Sequence, residues 1–303
     1  MKSLLSAICL MSAALLGGPA HALDCRKAST ALEHKICADP RLRKADAAMS
    51  KAYFELLGLA TDADVRAALI NSQRRWIAAR EHDLGALGND EGAPDADEQR
   101  AILLDATTAR TESLTERVGG TPKFIAVALK QRANAAAYSG GSFAGYRASC
   151  SFVPDRRDPN VYSYNCFGVM NVQNGDRVCS VSEDFASYYV VTQRAVADIV
   201  NGKPRVIAAC VDSQCPGLSV TGQAVGWNFK PTAEQAAIVE SFGPLSKLDP
   251  DIAVLSDDDD WLAVPGLRAD QGWLNACLTD KSFPARDRVP GGRGRKEGDA
   301  ASR

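Results

Sequence analysis

Histidine is scarce in this chain, with 3 in 303 residues. One of them, His21, falls in a stretch read below as a removable leader, which leaves His34 and His82. No His-based dyad, nucleophile elbow or histidine metal triad can be assembled from them, so the common hydrolytic and metal-assisted mechanisms lose their usual parts. An excess of positive charge is missing too. Lys and Arg number 35 against 37 Asp and Glu, for a net charge of −2, and without a basic field nucleic acid is excluded as a partner class. A long hydrophobic run is the third absence. The apolar stretch Leu4 to Leu16 is well short of the roughly 20 residues that span a bilayer, so no membrane span is expected.

That stretch has a different reading. Met1-Lys2 is a short basic start, and Ala20-His21-Ala22 puts small residues where a signal peptidase cuts. Residues 1–22 are therefore expected to be a signal peptide and the product to be periplasmic or secreted. A lipoprotein is not expected, because the residue before Cys25 is Asp24 rather than a small one.

Cysteine, in contrast, is plentiful. Of the 9, Cys9 leaves with the leader, and Cys25, Cys37, Cys150, Cys166, Cys179, Cys210, Cys215 and Cys277 remain. An even number in an exported chain reads as disulfides, although eight cysteines allow 105 pairings and the sequence alone does not choose among them. Sulfurs tied in this way are neither nucleophiles nor metal ligands. A mature chain of 281 residues exceeds the usual single-domain size, and two domains are expected.

The first, over 23–118, reads as helical. Thr30 and Glu33 have the spacing of a capping box, so a short helix should run to Cys37. Asp39-Pro40 starts the next, with Leu42, Ala45, Met49, Ala52, Tyr53, Leu56 and Leu57 as its apolar stripe, ending near Gly58. Asp62 or Asp64 opens a third, whose inner face is expected to carry Val65, Leu69, Trp76, Ile77 and Leu84. Residues 85–98 read as a loop. A fourth helix, from about Asp97 to Val118, turns Ile102, Leu103, Ala106, Leu114 and Val118 inward. A Cys25–Cys37 bond around the first turn would tie the shortest helix to the body, by about 3 kcal/mol in the loop-entropy account.

These residues resemble the LprI N-terminal domain family, exported helical modules named after a lysozyme inhibitor. The resemblance covers residues 24–118. It rests on Asp24-Cys25, Ala28-Ser29-Thr30, Glu33, Ile36-Cys37, Asp39-Pro40, Leu42, Asp46, Tyr53, Gln73-Arg74, Trp76, Arg80, Arg110 and Leu114. Family members commonly have two further cysteines, and this chain holds Asp83 and Ile102 in those places. Joint loss is what a mutually bonded pair would undergo, and it leaves Cys25 to bond Cys37. The resemblance implies a protein that grips and blocks lysozyme-type peptidoglycan hydrolases, with no cofactor and no catalytic residue. It fixes no inhibitory surface. Arg74, Arg75 and Arg80 are the candidate contacts on the third helix, the alternative being a solvated face paired with Glu81 and Asp83.

The second half is not recognised, since the Tyr164 to Gly168 segment shares only a Tyr, a Cys and a Gly with a β-barrel class of lysozyme inhibitor. Residues 119–143 read as a linker with a soft helical stretch from Phe124 to Tyr138, and 144–284 as a disulfide-rich α+β domain built on hairpins. The fold class is thus α + (α+β). Asn174-Gly175 turns one hairpin between Val161–Val172 and Arg177–Val181, a register that sets Cys166 opposite Glu183 and Cys179 opposite Met170. Asn201-Gly202-Lys203-Pro204 turns another, although Gln193 to Val200 also fits a helix. Thr232 caps a short helix to Ser241. Cys210 and Cys215 suit a small loop staple. Asp249, Asp251 and the run Asp257, Asp258, Asp259 and Asp260 offer carboxylates to a hard cation but lack the glycine and final Glu of a calcium hand, so no metal is expected. The acidic run is instead a candidate contact for a cationic hydrolase. Residues 285–303 read as a disordered tail.

An inhibitor of lysozyme-type hydrolases is the first functional expectation. A non-catalytic envelope module docking onto another exported protein is the alternative. An enzyme using paired carboxylates, such as Glu183 with Asp184, is the least favoured.

Overall fold

The computed structural model describes residues 23–88, 93–138, 140–155, 157–158, 160–186, 189–212, 215, 226–240, 245–252 and 272–285. The leader, residues 89–92 of the expected loop, the Asp257–Asp260 run and residues 286–303 lie outside the described residues. No described helix is long and apolar enough to cross a membrane.

Four helices are set by local chemistry at their starts. In α1 (Ala31–Ala38) the Thr30 hydroxyl accepts from the Glu33 amide while the Glu33 carboxylate accepts from the Thr30 amide, at 3.1 and 3.2 Å. In α2 (Pro40–Leu59) Asp39 caps the first turn and Pro40 fills a position whose amide would have no helical partner. Asp62 caps α3 (Ala63–Ala79), which runs on as a π turn over Arg80–Leu84. Asp95 and Glu98 close a second capping box on α4 (Ala96–Thr115). Two expected inward residues are corrected. Ile77 is 44% exposed, because it lies off the stripe that Leu69, Gln73, Trp76 and Arg80 send inward. Val118 is also exposed, since α4 stops at Thr115 and the chain turns through β1 (Arg117–Val118) and β2 (Thr121–Pro122) into α5 (Lys123–Ala137).

The second half is a five-stranded antiparallel meander: β3 (Gly145–Pro154), β4 (Tyr162–Asn174), β5 (Arg177–Ala186), β6 (Tyr189–Val200) and β7 (Lys203–Val211). Gln193–Val200 is strand, not helix. The first hairpin departs from the expected register by two residues. Its loop is Gly175-Asp176, with Asn174 paired to Arg177, so Val172 rather than Met170 faces Cys179 and Gly168 faces Glu183. Gly175 takes φ +56° at the first loop position, the place where a two-residue turn of this hand requires glycine. The second loop is the two residues Asn201-Gly202, both at positive φ, and Lys203 and Pro204 already belong to β7. One sheet face packs Cys179, Val181 and Val196 against Trp273 and Leu278 of α7 (Gly272–Thr279). Val178, Ala195 and Val206 pack on Val239 of α6 (Ala233–Glu240), so the sheet lies between two short helices.

Four disulfides brace this frame: Cys25–Cys37, Cys150–Cys166 across β3 and β4, Cys179–Cys277 from β5 to α7, and Cys210–Cys215. The helical core does not stop at α4. It takes in Ala128 of α5, Phe152 of β3 and Leu248, with Tyr162 and Tyr164 of β4 packed against it, so the bundle leans on the first two strands of the sheet.

Candidate functional site

The α3 helix divides its polar residues between three directions. Ser72, Gln73, Trp76 and Arg80 face the core, Arg75 points along the side toward the segment Asp249-Pro250-Asp251, and Arg74 is exposed. Arg80 donates from Nη1 to Asp46 Oδ1 of α2 at 3.0 Å, and its guanidinium lies 4.8 Å from the centre of the Trp76 ring. Asp46 in turn accepts from the Leu23 amide at 3.1 Å, which fixes the chain just ahead of the first disulfide. The expected surface pairing of these arginines with Glu81 and Asp83 does not form. Asp83 instead accepts from the Phe152 amide at 2.7 Å, reaching across to β3.

Arg75 is the centre of a clamp between the two halves. Nη1 and Nη2 donate to the two oxygens of Asp249 at 2.9 and 2.7 Å, and Nη2 also donates to Asp251 Oδ2 at 2.5 Å. Such paired, charge-assisted bonds fix orientation as well as distance. Burial acts to lower the Arg75 pKa, but its hydrogen bonds to Asp249 and Asp251 and the attraction of their charges together outweigh burial and raise it. Asp249 is raised as well, by desolvation that Arg75 only partly offsets. Gln131 of α5 holds the same turn by its backbone, accepting from the Asp249 amide at 2.8 Å and donating to its carbonyl at 2.9 Å. Asp251 Oδ1 accepts from Ser72 at 2.8 Å, Ser72 accepts from Arg110 Nη2 at 2.9 Å, and Arg110 Nε donates to Gln73 at 3.1 Å. The network runs from α4 through α3 into the second half.

Of the contacts expected from sequence, Arg74 alone on α3 is open to an outside partner. Arg75 and Arg80 turn their terminal guanidinium nitrogens to carboxylates within the molecule, and Asp257 to Asp260 lie outside the described residues. Asp249 and Asp251 face a guanidinium where a cation had been considered. Among the described residues, Cys150, Cys166 and Asp251 are grouped closely enough to suit a metal, but those two sulfurs are bonded to each other. Glu183 is half-buried and Asp184 exposed. Burial pushes the Glu183 carboxyl up.

Sequence reasoning missed a cavity of about 330 Å³ where α3 and α4 meet β3 and β4, lined by Trp76, Arg110, Phe152, Tyr162 and Tyr164 among others. A signal for it existed in Tyr162 and Tyr164, two aromatics on one strand face, but not for the helix that covers them.

The architecture defines a disulfide-stapled α-helical bundle, joined to an antiparallel sheet by a buried ionic clamp. Residues 25–114 match the family model described as Lysozyme inhibitor LprI, and the match ends before the sheet begins. No curated protein and no solved structure matches the chain.

Proposed function

We propose that this protein binds lysozyme-type peptidoglycan hydrolases and blocks them by direct contact, as an exported, non-catalytic inhibitor. The observation that carries the reading is the match of residues 25–114 to the lysozyme-inhibitor family. The four disulfides and internal clamp support it, because a prestiffened surface loses little conformational entropy on binding.

The contact face runs along the outer side of α3. Arg74 and the exposed Ile77 stand three residues apart, hence on one side of the helix, and together offer a cation beside an apolar anchor. Arg75 and Arg80 hold that helix in place from inside. The run Asp257–Asp260 serves as an acidic second contact that speeds encounter with a cationic hydrolase.

Turbidity decay of cell-wall suspensions, measured with several lysozyme types and excess mature protein, tests the reading. Inhibition with an association rate that falls as salt rises is the expected result. Unchanged lysis by every type, together with a pull-down from envelope extract that returns no hydrolase, would leave the docking-module alternative in its place.

A further inference from the structure

The cavity between the bundle and the sheet contains two polar groups that the protein leaves incompletely satisfied. Arg110 is 5% exposed, and burial lowers its pKa, yet no carboxylate bonds it. Its partners are the neutral Ser72 hydroxyl and Gln73 amide oxygen, reached from Nη2 and Nε, and Nη1 makes no bond among the described residues. The neighbouring carboxylate, Asp251, is already occupied by Arg75 and Ser72. The second group is the Tyr164 hydroxyl, which lies beside the Arg75 guanidinium but makes no well-aligned hydrogen bond among the described residues. A buried guanidinium whose nearest carboxylate, Asp251, is reached only through Ser72, and a hydroxyl without a well-aligned partner, are each incompletely satisfied, and an acceptor that enters from solvent relieves both.

The rest of the cavity gives the shape of that acceptor's carrier. Its walls are rings: Phe152 stands 6.1 Å from Trp76 and 5.2 Å from Tyr164, centre to centre. Its rim adds Ser113, Ser163 and Asn165. Aromatic rings combined with short hydroxyl and amide groups around the edge suit a ligand ring with C–H faces and equatorial hydroxyls. A volume of about 330 Å³ is at the small end of ligand pockets, which run from roughly 300 to 1,000 Å³, and accommodates one or two such rings.

We propose that this cavity binds a carboxylate-bearing sugar, with Arg110 and Tyr164 holding the acid, the aromatic walls stacking on the ring and the Ser113–Asn165 rim taking its hydroxyls. The site combines one residue set from the family-matched helices with another from the strands beyond them. It therefore exists only in the full chain and stands apart from any hydrolase contact on the outer face of α3.

The test uses the full mature protein and no hydrolase, so its failure and that of the inhibitor reading are separable. Titrations followed by Trp fluorescence and calorimetry compare glucuronic acid and N-acetylmuramic acid with their neutral counterparts, glucose and N-acetylglucosamine, and with benzoate. Binding of at least one acid sugar roughly tenfold tighter than its neutral counterpart is expected, a factor that one charge-assisted contact readily supplies. Tyr164→Phe removes a hydroxyl that has no well-aligned partner in the protein, so it should weaken that binding several-fold while changing the melting temperature by no more than about a degree or two. Failure of both acids to bind at tens of millimolar, equal binding of acid and neutral sugars, preference for benzoate, or undiminished binding by Tyr164→Phe would each overturn the proposal.

Discussion

Arg75 of α3 and Asp249, separated by 174 residues in sequence, meet with two parallel hydrogen bonds of 2.9 and 2.7 Å. Asp251 joins the same guanidinium, so Arg75 is the one cation bonded directly to two largely buried anions, with Arg110 reaching Asp251 through Ser72. Replacing Arg75 by Met leaves both carboxylates in place without their partner. The expected loss is roughly 3 kcal/mol, the low end for breaking a buried pair, because the Arg75 side chain keeps 20% of its surface exposed. Urea unfolding measures it. Adding Asp249→Asn and Asp251→Asn to Arg75→Met should recover part of the loss, and strict additivity of the three changes would show that the clamp is not a unit.

The Cys25–Cys37 bond closes a sequence separation of 12 residues. Cys25→Ser with Cys37→Ser should destabilise the helical half by about 3 kcal/mol in the loop-entropy account, with α1 losing amide protection first because it is the shortest helix of the bundle. Hydrogen exchange resolves the order, and uniform loss across α1 to α4 would refute it.

On the outer side of α3, Arg74→Glu reverses a solvent-facing charge that makes no bond among the described residues. Inhibition of a sensitive lysozyme should weaken at least several-fold, while the melting temperature stays within about a degree, as expected for a surface change. Arg74→Lys should retain most of the inhibition. Equal inhibition by all three proteins would move the contact face elsewhere.

Glu183 gives a pH signature. Its carboxyl is raised by burial alone, and no described residue bonds it. A raised acid favours folding while protonated: its contribution is complete below the ordinary glutamate value and is lost as pH rises through the raised one. Glu183→Gln should therefore raise the melting temperature at pH 7 and change it little near pH 4. A shift of equal size at both pH values would mean that something other than ionisation governs this position.

The features legible in the sequence were those decided within a few residues. The box at Thr30/Glu33, the Asp39-Pro40 start and the Asp62 cap satisfy amides one turn away, and α1 to α3 follow from them, whereas the Asp95/Glu98 box that starts α4 lies in a stretch that reads as loop. The Cys210–Cys215 staple is equally local. β3 escaped notice because it carries its alternation on small residues, Ala148 and Cys150 between Tyr146 and Phe152, and the register of β4 with β5 turned on which of Asn174, Gly175 and Asp176 form the loop. The clamp was out of reach for a different reason. Nothing near Arg75 announces a partner at Asp249, and a guanidinium on a helix with a polar outer face reads as solvated until the strands are packed beside it.

Three of the four disulfides link cysteines that are neighbours along the chain, whereas the fourth, Cys179–Cys277, reaches over Cys210 and Cys215 between them. An oxidase that joins thiols in order of appearance makes the first two correctly and then couples Cys179 to Cys210. Under oxidation in that order an isomerase has to undo the error, and the yield of correctly bridged molecules should then track isomerase supply more closely than oxidant supply.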